Sequence, residues 1–336
     1  MSGKDTEHPP GVIDGPAQLV LTASAARRYY LDGRSKVEIA EELGLSRFKV
    51  ARLLDSARAS GMVRIEIGYP SGIDVELSGR LRDRYGLQHA VVVEGPEQDS
   101  AALRRQVGTA AAGLLREITS HVDVLGLAWA RSVSAMTGAL TRLPPIPIVQ
   151  LTGALQPREA LVRPDPGDSS IEIVRDTARV SGGPAYFFYA PFILGDADTA
   201  RAMRRHPEVA RAFEQVSSVT KAVVGIGLCE PGHSTVYDAV SRREQRALTE
   251  LGVRAEISGV LIDSDGSPVP APLTDRMIGV SAAQLRSIPE VIAIAYGTVK
   301  APAVHASLNG GLVRSLVTHR SLAEILVGHP EAAATG

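Results

Sequence analysis

KVEIAEELGLSRFKVARL, residues 36–53, decides how the front of this chain folds, because its apolar, small and turning residues fall where two short helices must cross closely. Ile39 and Ala40 lie on the inner face of the first helix, and Gly44 sits where the chain must reverse. Val50 and Leu53 close the second helix onto the first. Ala40 has to be small for the helices to approach, and Gly44 tolerates the positive φ that the turn demands. An ordinary helical hairpin needs only part of this pattern. With all five positions in register, the stretch predicts a helix-turn-helix of the DNA-binding kind.

Ser46 follows the Gly44-Leu45 turn as a natural N-cap, and Val50, Leu53, Leu54 and Ala57 recur behind it at helical spacing as a buried stripe. Phe48, Lys49 and Arg52 then point away from that stripe, and Arg47 sits at the helix N-terminus beside it. A recognition helix presents such positions to the major groove, its first residues reaching the base edges. Arg47 is the first candidate for base contact, since a guanidinium bonds a guanine edge in bidentate fashion. Lys49 and Arg52 suit phosphates as well. Two roles stay open for Phe48: contact with a thymine methyl, or packing against the preceding helix. Ser46 can cap its helix and also bond a phosphate. Ser35, Lys36 and Arg64 complete the DNA-facing candidates.

The flanks predict a winged-helix module. Residues 19–32, LVLTASAARRYYLD, carry apolar residues at helical intervals and stop at Gly33, and the alternating run 62–67, MVRIEI, predicts a strand, the wing. Residues 27–64 hold nine Lys or Arg against five Asp or Glu, in a chain whose net charge is −1. Positive charge is thus concentrated where a polyanion would bind. The excess is modest, so tight binding calls for a dimer.

This module uses a small part of 336 residues whose hydrophobic content of 44% is enough for a second core. The one cysteine, Cys229, excludes an internal disulfide framework and fits a reducing cytoplasm. No apolar run is long enough to span a bilayer, and the polar start MSGKDTEHPPG has no signal-peptide core. Beyond the Pro- and Gly-containing hinge at Tyr69-Pro70-Ser71-Gly72, β-branched runs alternate with helical segments. Strands are predicted at 89–94, 123–129, 147–153, 185–191, 222–228, 291–297 and 312–318. Near-continuous apolar strands spaced by helices imply a parallel sheet covered on both faces, a Rossmann-like α/β domain. Ligands bind such sheets beyond the carboxyl ends of the strands.

That rule nominates four loops. Gly126-Leu127-Ala128-Trp129-Ala130-Arg131-Ser132 offers backbone amides, a guanidinium and a hydroxyl at a helix start, an anion site. Gln150-Leu151-Thr152-Gly153-Ala154 ends the next strand with a hydroxyl and a flexible glycine. Gly225-Ile226-Gly227 would let a ligand approach the backbone. Tyr296-Gly297-Thr298-Val299-Lys300 places a lysine at a helix start. Any one of these loops is also what a tight turn with a solvated charge looks like; four at one end of a sheet predict a pocket for a small polar anion.

From residue 19 to about 328 the chain resembles the SorC/DeoR sugar-binding transcriptional regulators of bacteria. The resemblance is carried by YYLDGRSKVEIAEELGLSRFKVARLLDSARASGMVRIEI at the front, VLGLAWARS, IVQLTGAL, YAPF and VVGIG further on, and VIAIAYGTVKAPAVHASLNGGLVRSLVT near the end. It implies a winged helix-turn-helix followed by an effector domain related to sugar-phosphate isomerases. It further implies dimers or tetramers on near-palindromic operator DNA, and a sugar or sugar phosphate that alters the hold on DNA. The residues and the resemblance together give a layout of a disordered tail over 1–18, the DNA-binding module over 19–68, a hinge over 69–74, the effector and oligomerisation domain over 75–328 and a tail over 329–336. The implied effector contacts are Arg131 and Ser132 on a phosphate, Thr152 with Gly153 in a second polar loop, Lys300 in the segment usually read Gly-Gly-x-x-Lys-Ala, and Glu256 on sugar hydroxyls. Gly126, Trp129 and Gly227 join them, whereas Asp263 belongs to a turn. The chain departs from the family pattern with Ala130 and Ser132 in the usual Trp-Gly-Arg-Thr, Thr152 and Ala154 in the usual Asn-Gly-Gly, and Tyr296 for the first glycine before the lysine.

Catalysis is the rival expectation, a sugar-phosphate isomerase or lyase with Lys300 as acid, base or Schiff-base former and an appended DNA-binding domain. Against it, the chain carries no phosphate-binding G-x-x-x-x-G-K-[ST] loop, no G-x-S-x-G elbow and no histidines at metal spacing. Gly225-x-Gly227 lacks the third glycine of a dinucleotide fingerprint, so neither metal nor cofactor is expected.

Overall fold

The computed structural model describes residues 15–63, 72–95, 100–155 and 169–329. The chain forms two compact units, divided between residues 68 and 69. In the first, helices α1 (Pro16–Tyr30), α2 (Lys36–Leu43) and α3 (Arg47–Ala59) bury Ala25, Ala26, Ile39, Ala40, Val50, Leu53, Leu54 and Ala57 against one another. α1 starts three residues before the apolar periodicity does, because Pro16 fits the first helical turn without losing a hydrogen bond. Ser35 and Glu38 form a capping box at the start of α2. Gly44 ends α2 in the left-handed conformation at φ 65°, which a side chain would strain. The Ser46 hydroxyl then accepts the Lys49 amide at 3.2 Å and caps α3. Met62 and Val63 pack on this core; Arg64 and the rest of the expected wing strand lie outside the described residues.

The second unit is built on a seven-stranded parallel sheet. Its strands are β1 (His89–Val93), β2 (Leu125–Leu127), β3 (Ile148–Gln150), β4 (Ala185–Tyr186), β5 (Lys221–Gly225), β9 (Glu290–Ile294) and β10 (Ser315–His319), in spatial order β1-β10-β9-β5-β2-β3-β4. Each of the seven expected runs supplies one strand of this sheet. Along β5, Ala222 and Val224 enter one apolar layer and Val223 the other; Val291 and Ile292 of β9 divide the same way. Helices Ser100–Ile118, Arg131–Ala139 and Ser170–Ser181 cover one face, and Val75–Tyr85, Ala301–Asn309 and Arg320–Gly328 the other. The chain runs outward from β2 through β3 to β4, then returns to β5 and runs the opposite way through β9 to β10. The switch point, where a crevice opens beyond the strand ends, therefore lies between β2 and β5.

Two expectations about the strands need correction. The run 222–228 is two strands, because the chain bends at Ile226 and sends β6 (Gly227–Leu228) into a separate antiparallel sheet with β7 (Ala255–Ile257) and β8 (Val260–Ile262). β4 stops at Tyr186; beyond it Ala154 bridges Pro191, so the chain there pairs with the loop after β3. Asp263 does form a turn, its carboxylate accepting the amides of Asp265 and Ser267.

At the amino ends of the strands sits a buried polar cluster. Lys221 of β5 reaches Asp123 at 3.0 Å and Glu290 of β9 at 3.9 Å, and Glu290 also accepts the Ser315 hydroxyl at 2.7 Å. Burial works against the Asp123 carboxylate. The Ser120 amide, the Thr220 hydroxyl and the Lys221 ammonium outweigh it and hold the group down at about 2.

Candidate functional site

Loops from the carboxyl ends of β2, β3, β5 and β9 enclose a cavity of about 390 Å³ at the switch point. Trp129, Arg131, Ser132, Thr152, Gly153, Gly227, Glu256 and Lys300 all line it. Gly126 does not. It is buried in β2, where a Cβ would meet the Leu151 and Val219 side chains at 2.9 and 3.0 Å, so close packing against those two side chains is what requires glycine there.

The loop after β2 crosses over β5 to reach β9. Ala130 passes so close to Gly225 that a Cβ on the glycine would lie 2.5 Å from the Ala130 methyl, and the Ser132 hydroxyl donates to the Ile294 carbonyl at 3.0 Å. Ser132 therefore anchors the loop while its helix, Arg131–Ala139, begins at the cavity. Ala130 offers that helix no side-chain cap, and the helix start faces the cavity. Arg131, the first helical residue, is exposed.

The loop after β3 is held from behind by Gln150, a fully buried side chain whose amide nitrogen donates to the Thr152 carbonyl at 2.7 Å and whose oxygen accepts the Phe188 amide at 3.0 Å. The Thr152 hydroxyl accepts the Trp129 amide at 3.4 Å and ties the two loops together. Gly153 is not present for flexibility: a Cβ would strike the backbone of Pro191 and Phe192 at 2.7–2.8 Å. A Cβ on Gly227 would likewise lie 2.7 Å from Ser234 and 3.2 Å from Glu256, so protein fills the space that the bare backbone leaves.

The charged floor of the cavity is the pair Glu256 and Lys300. Glu256 lies on β7 beside the tight reversal Ser258-Gly259, where Ser258 has φ 55° and Gly259 φ 92°. The Gly259 amide donates to its carboxylate. Burial pushes Glu256 up to about 7 against that hydrogen bond and the pull of Lys300. Lys300 ends the loop after β9, and its ammonium donates to the Ile226 carbonyl at 2.9 Å and sits 5.7 Å from the Tyr296 ring centre. Burial brings it down to about 8, opposed by Glu256 and reinforced by Arg131. Gly297 at the start of this loop donates its amide to Nε2 of the fully buried His319 at 3.0 Å, so β10 sets the position of the lysine loop.

Two residues that line the cavity carry buried polar atoms with no hydrogen-bond partner among the described residues, the Trp129 indole N–H and the Ser258 hydroxyl. Such groups cost free energy unless a ligand or water satisfies them. Sequence reasoning missed Ser258, Gln150, His319 and the segment Gly232–Asp238, which forms one wall. For Ser258 a signal existed, since AEI and VLI flank a two-residue Ser-Gly turn. Among the described residues no group of His, Cys, Asp and Glu is arranged to hold a metal ion. Cys229 is a buried thiol pushed up to about 12, chiefly by burial, and is inert as a nucleophile.

On the first unit, Arg47, Phe48, Lys49 and Arg52 are all exposed along one side of α3. Phe48 keeps 80% of its surface, so it does not pack against the preceding helix. Ser46 and Ser35 are engaged as helix caps, and the Lys36 ammonium lies 5.8 Å from the Tyr29 ring centre.

Residues 70–328 match the family model of a sugar-binding domain. This chain belongs to that family. It is 27% identical over 318 residues to the transcriptional regulator LsrR of Klebsiella pneumoniae, covering 93% of this chain and 94% of the relative. It is 27% identical over 315 residues to the erythritol catabolism regulatory protein EryD of Brucella abortus, covering 92% and 97%. The full-length sorbitol operon regulator SorC of Klebsiella pneumoniae shares the fold with a TM-score of 0.70 at 22% identity, covering 93% of this chain and all of that one. No helix among the described residues is long and apolar enough to cross a membrane.

Proposed function

We propose that this chain is a cytoplasmic, DNA-binding transcriptional regulator of carbohydrate metabolism whose hold on its operator is set by a sugar or sugar phosphate in the strand-end cavity. The observation that carries this reading is the joining, in one chain of a sugar-binding family, of an exposed basic helix face with a cavity lined by a helix start, Lys300, Glu256 and the hydroxyl-bearing Thr152 and Ser258. The relatives named as regulators of erythritol catabolism and of a sorbitol operon support it. In this reading Arg131, the Ser132 backbone amide and Lys300 take the anionic or most polar end of the effector, and Thr152, Glu256, Trp129 and Ser258 bond its hydroxyls. Two α3 helices, brought together by self-association of the second unit, enter successive major grooves about 34–36 Å apart on a near-palindromic site. Effector shifts the balance between two arrangements only in so far as it binds one of them more tightly.

The test uses the full chain. Duplexes selected from a random library define the operator, and a panel of sugars, polyols and their phosphates is screened by thermal shift and then for release or capture of that operator. A compound that raises the melting temperature and changes operator affinity supports the reading; operator binding indifferent to every stabilising compound overturns the sensor half of it. A catalytic reading draws on Lys300 and Glu256, whose protonation both lie near neutrality as catalytic groups require. Turnover of the same panel would establish it, and its absence leaves the regulator.

A further inference from the structure

The DNA-facing side of α3 carries one large apolar side chain that its own unit does not use. Phe48 is 80% exposed on the second residue of a helix fixed by the Ser46 cap. At about 100° per residue, Phe48 and Arg52 point directly opposite the buried stripe of Val50, Leu53, Leu54 and Ala57, one turn apart on the same ridge. Arg47 and Lys49 flank Phe48 and are exposed with it. This mixture selects among partners. A second copy of the same face would set Arg47, Lys49 and Arg52 against their own kind, whereas a polyanion is attracted by all three. Within a polyanionic duplex, the one apolar group that the major groove displays on its base pairs is the thymine C5-methyl. Aromatic wedging between base steps belongs to minor-groove binders and does not suit the first turn of a recognition helix.

We propose that Phe48 is a specificity residue that reads thymine, packing its ring on the C5-methyl group while Arg47, Lys49 and Arg52 hold the neighbouring base edges and phosphates. The proposal rests on the DNA-binding reading above and assigns one base of each half-site to one side chain.

The experiment takes the operator selected by the full chain and replaces each thymine in turn by deoxyuridine, which deletes the methyl and nothing else. At one thymine per half-site the wild-type chain should bind about fourfold more weakly, the factor that goes with one buried methyl group. Phe48→Ala should bind the unmodified operator more weakly, show no further loss at that deoxyuridine, and lose the preference for thymine there when selection is repeated. Its salt dependence should match the wild type, because no phosphate contact is removed. Phe48→Leu should keep the preference. Since the side chain is exposed, both variants should melt with the wild type, which separates recognition from folding. If no deoxyuridine weakens the wild type, or if Phe48→Ala suffers the same penalty as the wild type, the assignment is overturned while DNA binding stands. If the full chain selects no sequence at all, the DNA-binding reading itself fails.

Discussion

Replacing Lys300 by methionine separates a ligand-holding lysine from a structural one. Its ammonium sits in protein against the Ile226 carbonyl, and the net effect of its surroundings, Glu256 included, lowers its proton affinity from 10.5 to about 8. That displacement amounts to about 3 kcal/mol against the charged form, an upper figure because the residue keeps partial contact with solvent. Methionine keeps the stem and discards the charge. Lys300→Met should therefore be at least as stable as the wild type near pH 7, with a melting temperature equal or a few degrees higher at about 2–4 °C per kcal/mol for a unit of this size. The sign of the pH dependence follows from linkage. Between about 8 and 10.5 the unfolded wild type holds the lysine proton that the folded state has released, so its stability rises with pH across that window. The variant lacks this rise, and the gap between the two should close by pH 10. Thermal unfolding of both proteins from pH 7 to 10, with operator affinity measured beside it, makes the test. Operator binding should survive and the response to effector should vanish. A fall of several degrees at pH 7 with parallel pH profiles would refute the reasoning and make Lys300 a structural residue.

Three further outcomes follow from other parts of the molecule. Gly225→Ala places a methyl 2.5 Å from that of Ala130 and should cost about 1–3 kcal/mol by overpacking; adding Ala130→Gly should restore most of the loss, as chemical denaturation of the double variant would show. Ser46→Ala removes the α3 cap and should cost the first unit about 1 kcal/mol, seen as earlier fraying in hydrogen exchange and weaker operator binding. Asp123→Asn strips the half-buried Lys221 of its nearest carboxylate, leaving it Glu290 at 3.9 Å, and should destabilise by about 2 kcal/mol, the worth of holding the Asp123 carboxyl at about 2. The Asp123 contribution is present in the wild type above 3.8 and lost as pH falls toward 2, so the variant's acid unfolding should lack that part of the transition.

The sheet was legible in the sequence because its central strands are buried on both faces and read as near-continuous apolar runs, as in EVIAI. The small antiparallel sheet was not, since strands of two or three residues carry no periodicity of their own. Its absence from the prediction left Glu256 without a structural reason to be near Lys300; only family resemblance pointed to it. Polar residues that act from behind, Gln150 and His319, sit at the ends of apolar strands and give no local sign that they support a loop. Gly225 and Gly227 looked like places for a ligand to approach the backbone, and Gly153 like a flexible turn; all three are places where protein touches protein. A missing side chain in the sequence records a close approach without saying what approaches.

The switch point between β2 and β5 has a kinetic consequence. Leu125 pairs with Lys221, Lys221 with Glu290, and His89 with Ser315, so the walls of the cavity come from segments far apart along the chain. Such pairings close long loops and form late in folding. A chain still searching for its fold has no cavity with which to sense anything. Effector present during refolding should leave the folding rate unchanged and slow only unfolding, lengthening the lifetime of molecules already assembled.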